Sequence, residues 1–293
     1  MTRAALLVCP GSGGGRAARV AGTVAARLRT AVDSLDLHVA SSAPGTAALA
    51  RRAVHDGVDV LVVLGGDGGA HLGVQACAGT PTALAVVPAG TGNDFATALG
   101  TTSVDHVVDA LRAGATRPLD LGRLRDGTWF ATVLCAGFDS AVNERANGMR
   151  RPAGPRRYDL AILAELAALR PAHLVVETDD ERLELDALLV AVGNTTSYGG
   201  GIPICPDADV ADGLFDITVV SAAPRRTLLR VLPTLRTGRH VDHPAVRTLR
   251  AKSVALSGPG WVGYADGERL HALPLEVECR SGALRAVTAL TAR

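Results

Sequence analysis

The chain has 293 residues, enough for two domains of ordinary size that each bury a core. Thirty Lys plus Arg stand against 29 Asp plus Glu, so no global field draws the molecule onto nucleic acid, and no nucleic-acid partner is expected. Five scattered cysteines (Cys9, Cys77, Cys135, Cys205 and Cys279) form no Cys-x-x-Cys pair, which argues against disulfides and zinc and fits a reducing cytosol. Ala4 to Val8 is an apolar run of strand length, followed by Cys9-Pro10-Gly11-Ser12-Gly13-Gly14-Gly15 and a helical pattern from Arg16 to Arg29. Residues 46 to 56 predict a second helix. Val60 to Leu64 and Leu84 to Val87 are continuous apolar runs, as expected of parallel strands buried on both faces. Each runs straight into glycine, through Leu64-Gly65-Gly66-Asp67-Gly68-Gly69 and Pro88-Ala89-Gly90-Thr91-Gly92-Asn93-Asp94-Phe95-Ala96. Val104 to Ala113 predicts the last helix of this half.

From Leu119 onward short β-like segments are punctuated by turns at Asp126-Gly127, Asp179-Asp180, Gly199-Gly200-Gly201, Asp212-Gly213, Gly258-Pro259-Gly260 and Asp266-Gly267, which predicts mainly antiparallel structure. Helical patterns interrupt it at Asp139 to Ala146, Tyr158 to Leu169 and Arg225 to Thr237. No apolar stretch approaches the ~20 residues that span a bilayer, and Met1 to Val8 is too short for a signal peptide's apolar core, so a soluble protein is expected.

Three strand–glycine loop–helix units place three loops at the carboxyl ends of parallel strands, the edge where open α/β sheets bind ligands. Glycine lets a polyanion approach the main chain, and the following helix N-terminus offers unpaired N–H groups and partial positive charge. Asp67 would repel phosphate and makes sense with a divalent cation between them. A dinucleotide fingerprint fails because Arg16 and His71 stand where its last glycine is required, and no Gly-Lys-Ser/Thr exists for a Walker loop. What remains is Gly-Gly-Asp-Gly after a strand, either a structural turn or the signature of kinases that hold ATP without a P-loop.

The paired loops, Cys9-Pro10-Gly11-Ser12-Gly13 before them, and Gly199-Gly200-Gly201 to Asp216 after them resemble the diacylglycerol kinase catalytic-domain family, which includes sphingosine and ceramide kinases. Ala136-Gly137-Phe138-Asp139-Ser140, Leu163-Ala164-Glu165-Leu166, Gly193-Asn194-Thr195 and Ser197-Tyr198-Gly199-Gly200-Gly201 look closest to its actinobacterial, mycobacterial-type members. The resemblance implies an α/β plus β fold. A Rossmann-like three-layer ATP-binding α/β domain would span residues 1–118, and a mainly antiparallel β-sandwich lipid domain with a few helices would span 119–281. The segment from about 282 to 293 would return to the first domain, with Leu284 to Leu290 as the returning residues. It also implies ATP and Mg²⁺ as cofactors and phosphorylation of diacylglycerol to phosphatidic acid. Candidate nucleotide contacts are Gly11, Ser12, Gly13 and Arg16 in the first unit, Gly65, Gly66, Asp67 and Gly68 in the second, Gly90, Thr91, Gly92, Asn93 and Asp94 in the third, and Glu268. Cys9 stands where the family usually has Asn, Gly69 where it has Thr and Leu72 where it has Glu.

Tyr264-Ala265-Asp266-Gly267-Glu268 reads as a hairpin turn, yet by resemblance Asp266 is the general base that a kinase acting on an alcohol needs, with Asp67 as the ATP and magnesium partner; some relatives give the base role to Asp67. The carboxylates between Pro206 and Asp216 read either as a solvated Asp-Gly turn or as a magnesium site, since hard cations take carboxylate and carbonyl oxygens. By resemblance its ligands are Asp209, Asp212 and the Leu214 carbonyl. Arg145, Arg150, Arg151, Arg156 and Arg157 fall within thirteen residues and read as a solvated basic loop or as a dock for anionic lipid on the inner face of the cell membrane. Such a protein would be cytoplasmic and peripherally attached, and the reading allows a homodimer. The histidines, His71, His106 and His173 among them, show no ligand spacing and read as surface or packing residues. The rival readings are a soluble-substrate enzyme like NAD kinase, or a lipid- or nucleotide-binding regulator without turnover.

Overall fold

The computed structural model describes residues 1–137 and 171–289. The helical patterns at Asp139 to Ala146 and Tyr158 to Leu169 and the arginine cluster from Arg145 to Arg157 lie outside the described residues.

The first half is built as its apolar periodicity requires. Strands β1 (Arg3–Val8), β3 (Val60–Gly65) and β4 (Ala83–Pro88) pair in parallel, and a further strand β2 (Ser34–Val39) lies parallel along the far side of β1. Alternate residues of β1 and β3 are buried on opposite faces. Leu6 and Val62 face α1 (Ser12–Leu28) and α5 (Val104–Arg112), while Leu7 and Val63 face α2 (Ala43–His55), α3 (Asp67–Cys77) and α4 (Asp94–Ala98). Helices on both faces explain why these strands are apolar throughout. β2 is the exception. It is an edge strand with Leu37 and Val39 exposed at 47% and 57%, so its apolar residues carry no core signal.

The second half contains β5 (Thr116–Leu124), β6 (Trp129–Phe130), β7 (Val133–Gly137), β8 (Ala172–Thr178), β9 (Arg182–Gly193), β10 (Phe215–Ser221), the helix α6 (Arg225–Leu235), β11 (Val246–Ala251), β12 (Ser253–Ser257), β13 (Val262–Ala265), β14 (Glu268–Ala272) and β15 (Leu275–Val287). Apart from the parallel contact of β15 with β4, its strand pairs are antiparallel. Its core centres on Phe130, stacked 5.6 Å from Phe215, with Leu134, Val192, Ile217 and Trp261 around them. This is the β-sandwich-like half of an α/β plus β fold.

β15 joins the halves. Ser253 to Leu256 of β12 pair antiparallel with its start, and Arg285 and Ala286 near its end pair in parallel with Ala83 and Leu84 of β4. β5 runs beside it from Val277 opposite Leu124 to Val287 opposite Thr116, so the two strands pair on either side of both boundaries drawn from the sequence. The break in register between Arg280 and Leu284 is held by Asp120, whose carboxylate accepts from Gly282 N–H at 2.8 Å and Gly213 N–H at 2.6 Å. One buried side chain thus ties β5, β15 and the acidic turn together.

Candidate active site

Three glycine loops meet at the carboxyl ends of β1, β3 and β4, and they meet backbone to backbone. A Cβ on Gly66 would stand 2.9 Å from Gly90 Cα, and one on Gly13, at φ +58°, 2.1 Å from the Ala89 carbonyl oxygen. Ser12 Oγ accepts the Gly66 N–H at 3.3 Å, linking the first loop to the second. Helix α3 begins at Asp67 with Gly66 as a cap that offers no side-chain acceptor, and its first helical bond is Ala70 N–H to the Gly66 carbonyl. The N–H groups of Asp67, Gly68 and Gly69 therefore point out of the first turn as donors, where an anion is favoured. This is the feature that fits the phosphates of a nucleotide. Gly11 and Thr91 are exposed at the rim, and Arg16 is exposed with no ion pair among the described residues.

The carboxylates of these loops are occupied. Asp67 accepts the N–H of Asp94 (2.7 Å) and of Asn93 (2.8 Å), fixing the start of α4, and Gly92 packs so close that a Cβ there would lie 2.4 Å from Asp67 Oδ2. Asn93, in the left-handed region, folds its amide back on Gly90 at 2.9 and 3.0 Å. Asp94 is buried and accepts from Gly200 N–H at 2.9 Å and Gly201 N–H at 2.7 Å. Burial raises its pKa, the N–H of Gly200 lowers it and the charge of Asp67 raises it again, for a net upward shift. Of the third loop's candidates, Asp94 thus faces the second half of the chain.

Asp266 and Gly267 form the turn of the β13–β14 hairpin, with both residues at positive φ (52° and 82°), as a two-residue hairpin turn requires. The turn does not leave its side chain at the surface: the Asp266 carboxylate points back into the protein and is 5% exposed. Its Oδ1 accepts from Thr132 N–H (2.8 Å), Thr132 Oγ1 (2.7 Å) and Ala131 N–H (3.1 Å), and its Oδ2 faces His71 Nδ1 at 3.0 Å. Asn194, fully buried, donates to the carbonyls of Ala131 and Asp120 and so supports the β6–β7 connection that supplies those donors. Glu268 is exposed and reaches over the second loop, its Oε1 3.2 Å from where a Gly68 Cβ would lie.

His71 departs from the surface or packing role expected of the histidines. It lies one turn after Asp67 on α3, on the same face, with its side chain 12% exposed. Burial alone would lower its pKa, but the hydrogen bond and charge of Asp266, with the charge of Glu268, outweigh burial and push it above the ordinary 6.5. The available signal was its place four residues after the Gly-Gly-Asp-Gly aspartate. Its partner lies 195 residues away.

The acidic turn is a separate place. A cavity of about 440 Å³ there is lined by Asp207, Asp209, Asp212, Asp216, Thr218 and Arg250, among others, and shares no lining residue with the glycine loops. Arg250 pairs with Asp212 and, at 3.4 Å, with Asp216. Burial raises the Asp216 pKa, Arg250 pulls it back, and Asp212 and Asp207 push it up again. Asp209 and Asp212 also accept the N–H groups of Ala211 (3.1 Å) and Leu214 (3.0 Å). Oxygen donors in such a crowd suit a hard cation. Yet among the described residues no three ionisable ligands converge on one point, and Arg250 already supplies one positive charge.

Two family descriptions match the chain, "Diacylglycerol kinase catalytic domain" over residues 3–124 and "YegS C-terminal NAD kinase beta sandwich-like domain" over residues 132–288. The chain is 43% identical over 287 residues to a diacylglycerol kinase of Mycobacterium tuberculosis, covering 95% of this chain and 93% of the relative. It is 32% identical over 251 residues, 80% of each chain, to a protein of Stenotrophomonas maltophilia named "Probable lipid kinase YegS-like". A crystal structure of a diacylglycerol kinase from Bacillus anthracis superposes with a TM-score of 0.74 at 20% identity, covering 98% of this chain and 96% of that one, which shows a shared fold. Sequence likeness over nearly its whole length, with both halves matched, places the chain in the diacylglycerol kinase family of lipid kinases.

Proposed function

We propose that this kinase transfers the γ-phosphoryl group of ATP to the free hydroxyl of diacylglycerol, giving phosphatidic acid, with Mg²⁺ accompanying the nucleotide. The observation that carries the reading is the convergence at one cleft of the three phosphate loops with the Asp67–His71 face of α3 and with Asp266 and Glu268 of the β13–β14 hairpin. Phosphoryl transfer asks a protein mainly for position and electrostatic stabilisation, and this cleft offers both. The uncapped N–H groups of α3 would hold phosphate oxygens, and Ser12 and Asp67 would keep the three loops in register. Mg²⁺ would supply charge neutralisation on the phosphates when bound, and Asp67 is the loop carboxylate that would help to hold it. A second cation at Asp209, Asp212 and the Leu214 carbonyl would brace the acidic turn.

The 43% identical mycobacterial relative is named for diacylglycerol, which supports that substrate over NAD. Among the described residues no helix is long and apolar enough to cross a membrane, so a lipid substrate would be met from the membrane surface. The cytoplasmic, peripheral location and the anionic-lipid dock at Arg145, Arg150, Arg151, Arg156 and Arg157 belong to this proposal on sequence alone. The test is phosphate transfer from ATP in the presence of Mg²⁺ to a panel of diacylglycerol, monoacylglycerol, ceramide, sphingosine, polyprenol and NAD. Phosphatidic acid as the dominant product is expected. Preference for another alcohol overturns the substrate, and nucleotide or lipid binding without any phosphorylated product overturns the enzyme.

A further inference from the structure

Strand β2 leaves large apolar side chains in water at the edge of a sheet. Among the described residues the exposed large apolar side chains are Met1, Leu37 and Val39, and two of the three stand on this strand. It pairs with β1 on one side and, among the described residues, with no strand on the other. The strand at the opposite end of the sheet, β14, shows how such an edge is ordinarily kept from pairing, since Glu268, Arg269 and His271 line it with charged and polar side chains. The direction of the free backbone groups of β2 follows from its register. Ser34 stands opposite Arg3 and donates its N–H to the Thr2 carbonyl at 3.4 Å, while Arg3 turns its own N–H and carbonyl the other way, to Asp59 at 2.7 and 2.8 Å. Ser34, Asp36 and His38 therefore turn their N–H and carbonyl groups toward β1, and Leu35, Leu37 and Val39 turn theirs outward. The side chains of these outward-turned residues share one face, where Leu35 packs against the core beneath α1, and those of Asp36 and His38 share the other.

We propose that β2 is a self-association surface: two copies of this chain pair β2 with β2 antiparallel about a two-fold axis through Leu37, and the two sheets become one. A two-fold pairing sets outward-turned residues opposite outward-turned residues, which leaves few registers that keep most of the strand. Centred on Asp36, the pairing sets Asp36 against its own copy; centred on His38, it sets His38 against its own copy. Like groups directly opposite each other destabilise a ladder. Centred on Leu37, it sets Asp36 opposite the second copy's His38, twice over, at the close, non-hydrogen-bonded position. A carboxylate there meets an imidazole that can donate to it and that attracts it when protonated. Leu37 then lies against its own copy and Leu35 opposite Val39, and all three exchange N–H and carbonyl groups across the axis. One register thus covers the exposed apolar side chains, pairs the free edge and matches charge. What complements this edge is the edge itself, so the partner is a second copy of the chain. The surface lies outside the cleft and does not depend on the kinase reading, since none of Ser34 to Val39 stands in the glycine loops.

Sedimentation velocity of the full chain over a range of concentrations tests this, with wild type, Leu37→Lys, Asp36→Lys, His38→Glu and the double variant Asp36→Lys/His38→Glu. Wild type should be a reversible dimer. Leu37→Lys, which sets two cations against each other on the axis, should raise the dissociation constant by about tenfold or more. Asp36→Lys and His38→Glu should each weaken the dimer. The double variant restores opposite charges across the axis and should recover to within about threefold of wild type. Cross-linking reads the register directly. In a hydrogen-bonded antiparallel pair the Cα atoms stand about 5.5 Å apart, within disulfide reach, so Leu37→Cys should join to its copy under mild oxidation. Val39→Cys, displaced from its copy by about 13 Å along the strand, should not. The native cysteines are buried or half-buried, and wild type gives their background. Circular dichroism checks that each variant is folded, and if Leu37→Lys is not, the charge swap and the cross-link still decide. A wild type that stays monomeric at about 100 µM overturns the proposal, as does a dimer indifferent to a folded Leu37→Lys. A double variant no tighter than the single ones, or cross-linking through Val39→Cys in place of Leu37→Cys, also overturns it, because the proposal commits to that register. No lipid or nucleotide enters the measurement, so its failure and the failure of the kinase reading are separate.

Discussion

A Cβ on Gly69 would stand 2.8 Å from Cys9 Sγ and 3.3 Å from Val63 Cγ1, so the thiol occupies the space that a larger residue on α3 would need. Burial raises the Cys9 pKa, keeping the group a neutral thiol that packs against the core behind the loops. By the resemblance, Cys9 and Gly69 both stand where the family usually has other residues, and they meet at a single contact, as a compensating pair would. Gly69→Ala in the native chain should therefore destabilise, by about 1–3 kcal/mol of overpacking. In a Cys9→Ala background, where the nearest Cys9 atom left is a Cβ at 3.7 Å, the same change should stabilise by up to about 1 kcal/mol, as alanine does in a helix. Urea denaturation of the four proteins measures the coupling, and additive effects would show the pair to be independent. At His71 the elevated pKa gives a second expectation. A folded-state pKa above the unfolded value means stability that is fully present below about 6.5 and is lost as pH rises through the folded pKa. The melting temperature of wild type should exceed that of His71→Asn more at about pH 6 than at about pH 8.5. A pH-independent difference would mean that the His71–Asp266 contact does not titrate.

The elements that place the phosphate loops were legible because their signals are local. An apolar run ending in glycine and continuing as a helical period is read within about ten residues, and β1, β3, β4 and α3 fall where the pattern put them. β2 was missed because Leu35, Leu37 and Val39 lie on an edge strand without flanking glycine. The helix after the first loop was read from Arg16; Gly13, Gly14 and Gly15 within the Ser12–Leu28 span have left-handed φ/ψ, so the regular helix does begin only after them. Element geometry gives two tests. Gly66→Val would push a branched side chain onto Gly90 Cα, 2.9 Å from the Cβ position, and part the second loop from the third. ATP affinity by titration calorimetry should fall by at least about tenfold, or 1.4 kcal/mol, and undiminished affinity would remove these loops from the phosphate site. At the acidic turn Arg250 pairs with Asp212, so a magnesium ion held there would have to compete with it. Magnesium should raise the melting temperature of Arg250→Ala more than that of wild type and have least effect on Asp212→Ala, because a ligand stabilises only the state that binds it. Equal shifts in all three would place any such cation elsewhere.

At the scale of the molecule, what could not be read was which distant groups meet. The Asp266 turn was legible as a hairpin, but its approach to His71 spans 195 residues and the contact of Asp94 with Gly200 spans 106. No local pattern encodes either separation. Asp94 was read as a nucleotide contact, whereas its carboxylate holds the Gly199–Gly201 loop of the second half while its own N–H is held by Asp67. The chain Asp67, Asp94, Gly200 therefore runs from the first turn of α3 across the cleft, and it fixes the distance between the phosphate loops and the half expected to hold the lipid. Asp94→Ala leaves the Gly200 and Gly201 N–H groups without that acceptor. Both glycines are exposed, so water replaces much of the loss and stability should fall by about 1 kcal/mol. The catalytic effect should be larger, because a displacement near 1 Å across a reacting pair is worth up to about 100-fold in rate. Asp94→Ala should lower kcat/KM for the lipid by about tenfold or more with ATP affinity nearly unchanged, and Asp94→Asn, which keeps one acceptor oxygen, should lie between it and wild type. If ATP affinity falls in parallel with lipid turnover, Asp94 serves the nucleotide as its position in the third glycine loop first implied, and the contact with Gly200 and Gly201 is incidental to catalysis.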